Sequence, residues 1–243
     1  MFSRFLKILK KAQFDKNAAK SFKSYYDKID KSKAYKRYCK ELQGLPCSMQ
    51  NNLSITQSKN LFKLLNERSD LKILDLGAGS GGLIKSFKDK HSFTGIDLSI
   101  DNELLNIKQA DYHAFQYIED YFDLVLSIDS LYLVSDRAGL LRKINSTLKS
   151  QGEFHIFMTL LENYEKSSLK KELENIFKSV HVIDNSKEDK ELWHEAYEYL
   201  LNNKSEFSSE SDKRIFNTKL KEIEKNTSLA HKTSRLHIIA TKE

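Results

Sequence analysis

Three observations on this 243-residue chain predict an α/β fold, a mostly parallel sheet with helices on both faces. Residues 72–82 read K-I-L-D-L-G-A-G-S-G-G, an apolar strand running into a Gly-rich turn; Leu83-Ile84 and Phe87 then follow at helical spacing. Further short apolar runs alternate with helical patterns almost to the C-terminus. One of them, Phe122-Asp123-Leu124-Val125-Leu126-Ser127-Ile128, is apolar on both faces, as a central parallel strand must be.

Composition bounds the partners. Charged residues at 30%, aromatics at 11% and a single proline exclude collagen-like, proline-rich and disordered chains. The net charge of +6 comes from lysines spread along the chain. No stretch interleaves arginine with aromatics as base-stacking sites do, so nucleic acid is not the expected partner. Cys39 and Cys47 form no CxxC and have no histidine at metal spacing, which predicts a reducing cytoplasm and no metal. No apolar run approaches a membrane span. The start, Met1 to Lys11, is basic and amphipathic, and Lys7 interrupts any signal-peptide core. It reads as a short helix covering the domain.

Ahead of the first strand the pattern is helical. Phe22, Tyr25, Tyr26 and Ile29 share a face that Tyr35 and Tyr38 continue, and Gly44 to Asn52 reads as a loop. Thr56 is the expected N-cap of a helix running to Arg68, with Leu61, Leu64 and Leu65 inward. After the Gly-rich turn, Ser92 to Asp97 is the second strand. The interval to Asp111 leaves room for little more than one helical turn, through Asn102–Leu105, and a short third strand. The fourth strand leads into Asp129-Ser130-Leu131-Tyr132. Asp136 opens a helix carrying Leu140, Leu141, Ile144 and Leu148, stopped near Gly152, and Phe154 to Thr159 is the fifth strand. Leu169, Leu173, Ile176 and Phe177 mark a helix, Val180 to Ile183 a sixth strand and Arg235 to Ala240 a last one. Between those two strands, 185–234 is too long for a structureless loop and carries two helical patterns, one with Leu192, Trp193, Tyr197 and Tyr199.

The spacing Gly77-x-Gly79-x-x-Gly82 also fits a dinucleotide fingerprint. Asp75 argues against a dinucleotide, because a buried carboxylate next to a pyrophosphate is repulsive. S-adenosylmethionine has no phosphate and carries an ammonium and a sulfonium, which suit an acidic strand end. Asp97, ending the second strand, can accept two hydrogen bonds from ribose hydroxyls.

Together these elements resemble the cofactor half of class I S-adenosylmethionine-dependent methyltransferases. Ser127-Ile128-Asp129-Ser130-Leu131-Tyr132 and Leu192-Trp193 resemble segments of a bacterial small-molecule subgroup. The resemblance implies a Rossmann-like seven-stranded sheet whose last strand is antiparallel, with a helical cap over 1–68, a core over 69–184, a helical insertion over 185–234 acting as lid or dimerisation element, and a closing strand over 235–243. Its cofactor set takes in Asp75, Gly77, Ala78, Gly79, Asp97, Leu98 and Ser127. Asp111 would accept from the adenine amino group with Tyr112 beside the ring, and Gln57 would meet the methionine carboxylate. Asp129 stands at the C-terminal edge of the sheet, where ligands of open α/β sheets bind, and is the first candidate for the substrate side. It would hold a substrate ammonium or accept a proton, with Tyr132 one turn on; a turn-capping aspartate is the competing role. His155 reads as a packed core histidine.

The expected activity is methyl transfer to an O, N or C nucleophile of a small molecule by a monomer or homodimer. The nearest rival is an RNA or other macromolecule methyltransferase. The adenine-N6 and cysteine-dependent classes drop out, because the only proline is Pro46 and both cysteines precede the first strand. A noncatalytic S-adenosylmethionine-binding module is the rival from another class. The insertion's rings, Trp193, Tyr197 and Tyr199, are expected to bury against the substrate pocket or a second copy.

Overall fold

The computed structural model describes residues 17, 19–134 and 136–243. The basic segment Met1 to Lys11 lies outside the described residues. Helix α1 (19–29) and α2 (Lys33–Gln43) open the chain. Helix α3 (Ile55–Glu67) precedes β1 (Lys72–Leu76), α4 (Gly82–Phe87), β2 (Ser92–Asp97), β3 (Ile107–Gln109) and β4 (Phe122–Ile128). Then come α5 (Arg137–Thr147), β5 (Leu148–Leu160), α6 (Ser168–Ile176), β6 (Ser179–Asp184), α7 (Ser186–Asn202), α8 (Glu210–Leu229) and β7 (Ser234–Thr241). No described helix is long and apolar enough to cross a membrane.

The sheet has seven strands in the order β3-β2-β1-β4-β5-β7-β6. The first five run parallel, and β7 lies antiparallel between β5 and β6. The chain turns back between β1 and β4, which opens a crevice at the carboxyl ends of those strands. Side-chain alternation covers both faces. Leu74, Val125, Phe154 and Ile156 pack with Leu140, Leu141 and Ile144 of α5 and Leu169 and Leu173 of α6. Ile73, Leu124 and Leu126 pack on the other side with Leu61 and Leu65 of α3 and Leu83 and Ile84 of α4. Each such side chain contributes about 1.5–3 kcal/mol by leaving water.

Two expectations change in detail. The N-cap of α3 is Ser54, not Thr56: its side chain accepts from the Gln57 amide while Gln57 reaches back to the Ser54 amide, a capping box. β5 begins at Leu148, ahead of Gly152, because it pairs with Phe122 before a register shift and then with Leu124 onward.

A third apolar cluster lies apart from the sheet. Ile29, Tyr35, Tyr38, Cys39 and Leu45 of the N-terminal segment pack with Trp193, Ala196, Leu200, Phe207, Ile215, Phe216 and Ile223 of the insertion. Tyr38 meets Tyr199 edge-on at 5.7 Å, and the Trp193 indole donates to Asp189 at 2.9 Å. Trp193 and Tyr199 therefore bury against the N-terminal helices, whereas Tyr197 stays exposed. The two segments share one core because each alone has a single apolar face and too little to cover it.

Candidate functional site

The crevice begins at β1. Asp75 is 4% exposed, and among the described residues no donor reaches its carboxylate. Burial, and then the charge of Asp97, push its carboxyl up to about 7. Gly77 follows at φ 83°, where a Cβ would lie 2.6 Å from that of Ser130, so only glycine fits the turn. The amides of Gly77 and Ala78 both donate to the Ile96 carbonyl, at 2.8 and 3.1 Å, which welds the turn to β2.

At the end of β2, Asp97 is held from two sides. Its Oδ2 accepts from the Gly79 amide at 3.0 Å, and its Oδ1 accepts from the Ser99 amide and hydroxyl at 2.8 and 2.6 Å. That fixes the carboxylate's orientation and leaves one lone-pair site, on Oδ2, for a ribose hydroxyl.

A roof closes over these strand ends. Tyr26 of α1 lies against Gly79, with Phe22 stacked on it at 6.2 Å. The loop 48–52 and Glu222 of α8 complete the roof. Below it are two adjoining hollows that share Tyr26, Gln50, Asn51, Gly77 and Ile128. The first contains Asp75, Ala78 and Gly79; the second contains Asp97, Leu98, Tyr112, Asp129, Ser130 and Tyr132.

Asp129 is not free. It sits at φ 51° immediately after β4, and both its oxygens bond the guanidinium of Arg235, through Nη1 and through Nη2 at 3.2 Å. Its Oδ2 also accepts from the Asn52 amide at 2.8 Å. Arg235 is fully buried; it further donates from Nε to Gln57 Oε1 at 3.2 Å and from Nη1 to the Thr159 hydroxyl at 3.4 Å. A bidentate pair of this kind fixes the geometry of both side chains. Asp129 thus ties the roof loop to β7.

The remaining expected residues divide. Ala78, Leu98 and Tyr112 line the hollows, and Tyr132 stands at the rim, 60% exposed. Gln57, Ser127 and Asp111 do not line either hollow. Gln57 spends its carbonyl on Ser54 and Arg235 and its amide on Asn185 at 3.1 Å. Ser127 is buried beneath the floor and shares a hydrogen with Ser130 at 2.8 Å. The Asp111 carboxylate closes its own turn by accepting from the His113 amide at 2.7 Å. His155 is a core residue, bonded to His237 at 3.0 Å.

Asn51 was invisible in the sequence. It is 5% exposed and lines both hollows; its Oδ1 accepts from Gln43 and Leu53, while its Nδ2 has no acceptor among the described residues. A buried donor without an acceptor is costly, and a ligand's acceptor that reached it from the adjoining hollow would satisfy it. Among the described residues no group of His, Cys, Asp or Glu side chains could hold a metal.

The family described as "Methyltransferase domain" matches residues 49–212. No curated protein sequence matches the chain. Among solved structures, phosphoethanolamine N-methyltransferase 2 of Haemonchus contortus, in complex with phosphomonomethylethanolamine and S-adenosylhomocysteine, superposes with a TM-score of 0.66 at 17% identity, over 90% of this chain and 60% of that one. This chain therefore spans well under two thirds of that enzyme's length. The cyclopropane synthase MmaA2 of Mycobacterium tuberculosis gives 0.60 at 10% identity, over 89% of this chain and 98% of its own. The [4+2]-cyclase SpnF gives 0.59 at 16% identity, over 77% and 81%. At these identities the likeness is one of fold, and the three names denote three different reactions on it.

Proposed function

Because the chain belongs to the methyltransferase-domain family, and is a methyltransferase with S-adenosylmethionine as its cofactor, we propose that it methylates a small molecule held beneath the helical roof. The observation that carries this reading is the roof itself. Phe22, Tyr26, the loop 48–52 and Glu222 enclose the strand ends, leaving adjoining hollows in place of an open groove that a polymer could enter. When bound, S-adenosylmethionine would supply a methyl group on a sulfonium, which an acceptor takes in line while the neutral thioether leaves.

The chain's own residues would bind and align the two partners. The buried Asp75 carboxylate, its carboxyl raised by burial and by Asp97, suits the cofactor's ammonium, whose charge would offset both. Asp97, braced by Ser99 and Gly79, would accept from a ribose hydroxyl. The open amide of Asn51 takes the role expected of Gln57, donating to the carboxylate of the methionine moiety. Asp129 positions the loop through Asn52 and Arg235, and Tyr132 guards the rim. Excluding water and aligning the reacting atoms can supply roughly 7–11 kcal/mol of barrier lowering.

The test is a labelled-methyl transfer experiment. Protein is incubated with cell extract and cofactor labelled in its methyl group, and the products are separated by size. Label is expected in the small-molecule fraction. Label confined to RNA or protein would overturn the small-molecule reading.

A further inference from the structure

The substrate half of the cleft carries a charge pattern opposite to that of the chain. The protein has 40 lysines and arginines and a net charge of +6. Yet the second hollow is lined by Asp97, Asp129 and Glu222 and, among the described residues, by no lysine, arginine or histidine. Asp97 belongs to the cofactor's half and Asp129 is engaged by Arg235, which leaves Glu222 facing the acceptor's space.

Glu222 is built in. Its Oε2 accepts from Lys219 Nζ at 2.8 Å, and the Asn52 amide, turned to donate, reaches Oε1 at 3.1 Å. Lys219 is 2% exposed and sits behind Glu222, 5.8 Å from the centre of the Tyr35 ring. Burial alone would lower its ammonium; Glu222, with the phenols of Tyr35, Tyr25 and Tyr38 around it, outweighs that and holds it well above the usual lysine value. Neither Lys219 nor Arg235 lines the hollow. A ligand there meets the carboxylate edges of two ion pairs and not their cations. Among the other lining residues are the rings of Phe22, Tyr26, Tyr112 and Tyr132, with the neutral amides of Gln50, Asn51 and Asn52.

A carboxylate edge beside aromatic faces favours a cation on both counts. Lys219 and Arg235 reduce the charge of the carboxylates they pair with, yet neither lines the hollow, so an anion there would meet no basic side chain. We propose that the methyl acceptor is a small amine without an anionic group, captured as its cation by Glu222 and the rings of the hollow. The ammonium gives its proton to water at the exposed rim, and the free nitrogen then takes the methyl group as the neutral thioether leaves. This rests on the small-molecule methyltransferase reading above.

The experiment uses protein saturated with S-adenosylhomocysteine and three probes of matched shape: 2-phenylethylamine, 2-phenylethanol and 3-phenylpropionate. Calorimetry should show the amine binding at least about tenfold more tightly than the alcohol, and the carboxylate not at all. Glu222→Gln should remove at least about tenfold of the amine's affinity while leaving that for S-adenosylhomocysteine unchanged. Since that variant leaves Lys219 buried without its partner, Tyr132→Leu, at the exposed rim, serves as the second; it should weaken the amine several-fold and spare the alcohol. Amine binding no tighter than alcohol binding, or tighter binding of the carboxylate, would overturn the proposal. Failure of S-adenosylhomocysteine itself to bind would instead remove the methyltransferase reading beneath it.

Discussion

Asp75→Asn should make the free protein more stable and the cofactor complex weaker. The native carboxyl titrates at about 7, against 3.8 in the unfolded chain, because burial and Asp97 penalise its charge. The unfolded chain therefore ionises first as pH rises. Stability contributed by the neutral native form is lost between about pH 4 and pH 7, and the full cost stands above that. At pH 8 it is on the order of 4 kcal/mol against folding. Removing the charge should recover about 2–4 kcal/mol at pH 8, the lower figure allowing for amide hydrogens that find no acceptor, and almost nothing at pH 4. Urea unfolding followed by Trp193 fluorescence at several pH values reads this directly. In the wild type only about a tenth of Asp75 is ionised at pH 6 and about nine tenths at pH 8, so affinity for S-adenosylhomocysteine should rise about tenfold over that range. Asp75→Asn should bind at least about tenfold more weakly at pH 8 and show no such rise. A variant no more stable than wild type at pH 8, or a wild type whose affinity is flat from pH 6 to 8, would refute the assignment of Asp75 as an unpaired anion awaiting a cation.

Two further substitutions probe the supports of the site. Asp97→Ala removes a carboxylate already oriented by Ser99 and Gly79, and calorimetry should show at least about a tenfold loss of cofactor affinity with the melting temperature nearly unchanged; unchanged affinity would detach Asp97 from the ribose. Arg235→Met strands the Asp129 carboxylate, 9% exposed, and should cost about 3–5 kcal/mol in urea unfolding, most of it restored in the Arg235→Met, Asp129→Asn double variant; a single variant within about 1 kcal/mol of wild type would show the pair to be dispensable.

What the sequence determined by itself is what neighbours along the chain determine. A strand, a Gly-rich turn and a helix follow one another in 72–87, so the first wall of the crevice needs only local backbone rules to be read. Asp97 was recoverable for a similar reason: it ends an apolar strand, and every parallel strand of such a sheet delivers its last side chain to the same edge. The capping box of Ser54 and Gln57 was also there to be read, as Ser-x-x-Gln ahead of an apolar run, and it would have withdrawn Gln57 from the cofactor.

Only the tertiary structure decided which distant groups meet. Arg235 reads as the first residue of an apolar strand, yet its partners Asp129 and Gln57 lie 106 and 178 positions away. That pairing turns Asp129 from a free carboxylate into a strut. The roof is the same case: helical periodicity says that Trp193 and Tyr199 must be buried, but not that the N-terminal helices bury them. Nor does any local pattern bring Asn51 and Glu222 to one cavity. Periodicity records that a face is covered; what covers it, and whether a charge ends up paired, depends on contacts between segments that only the folded chain brings together.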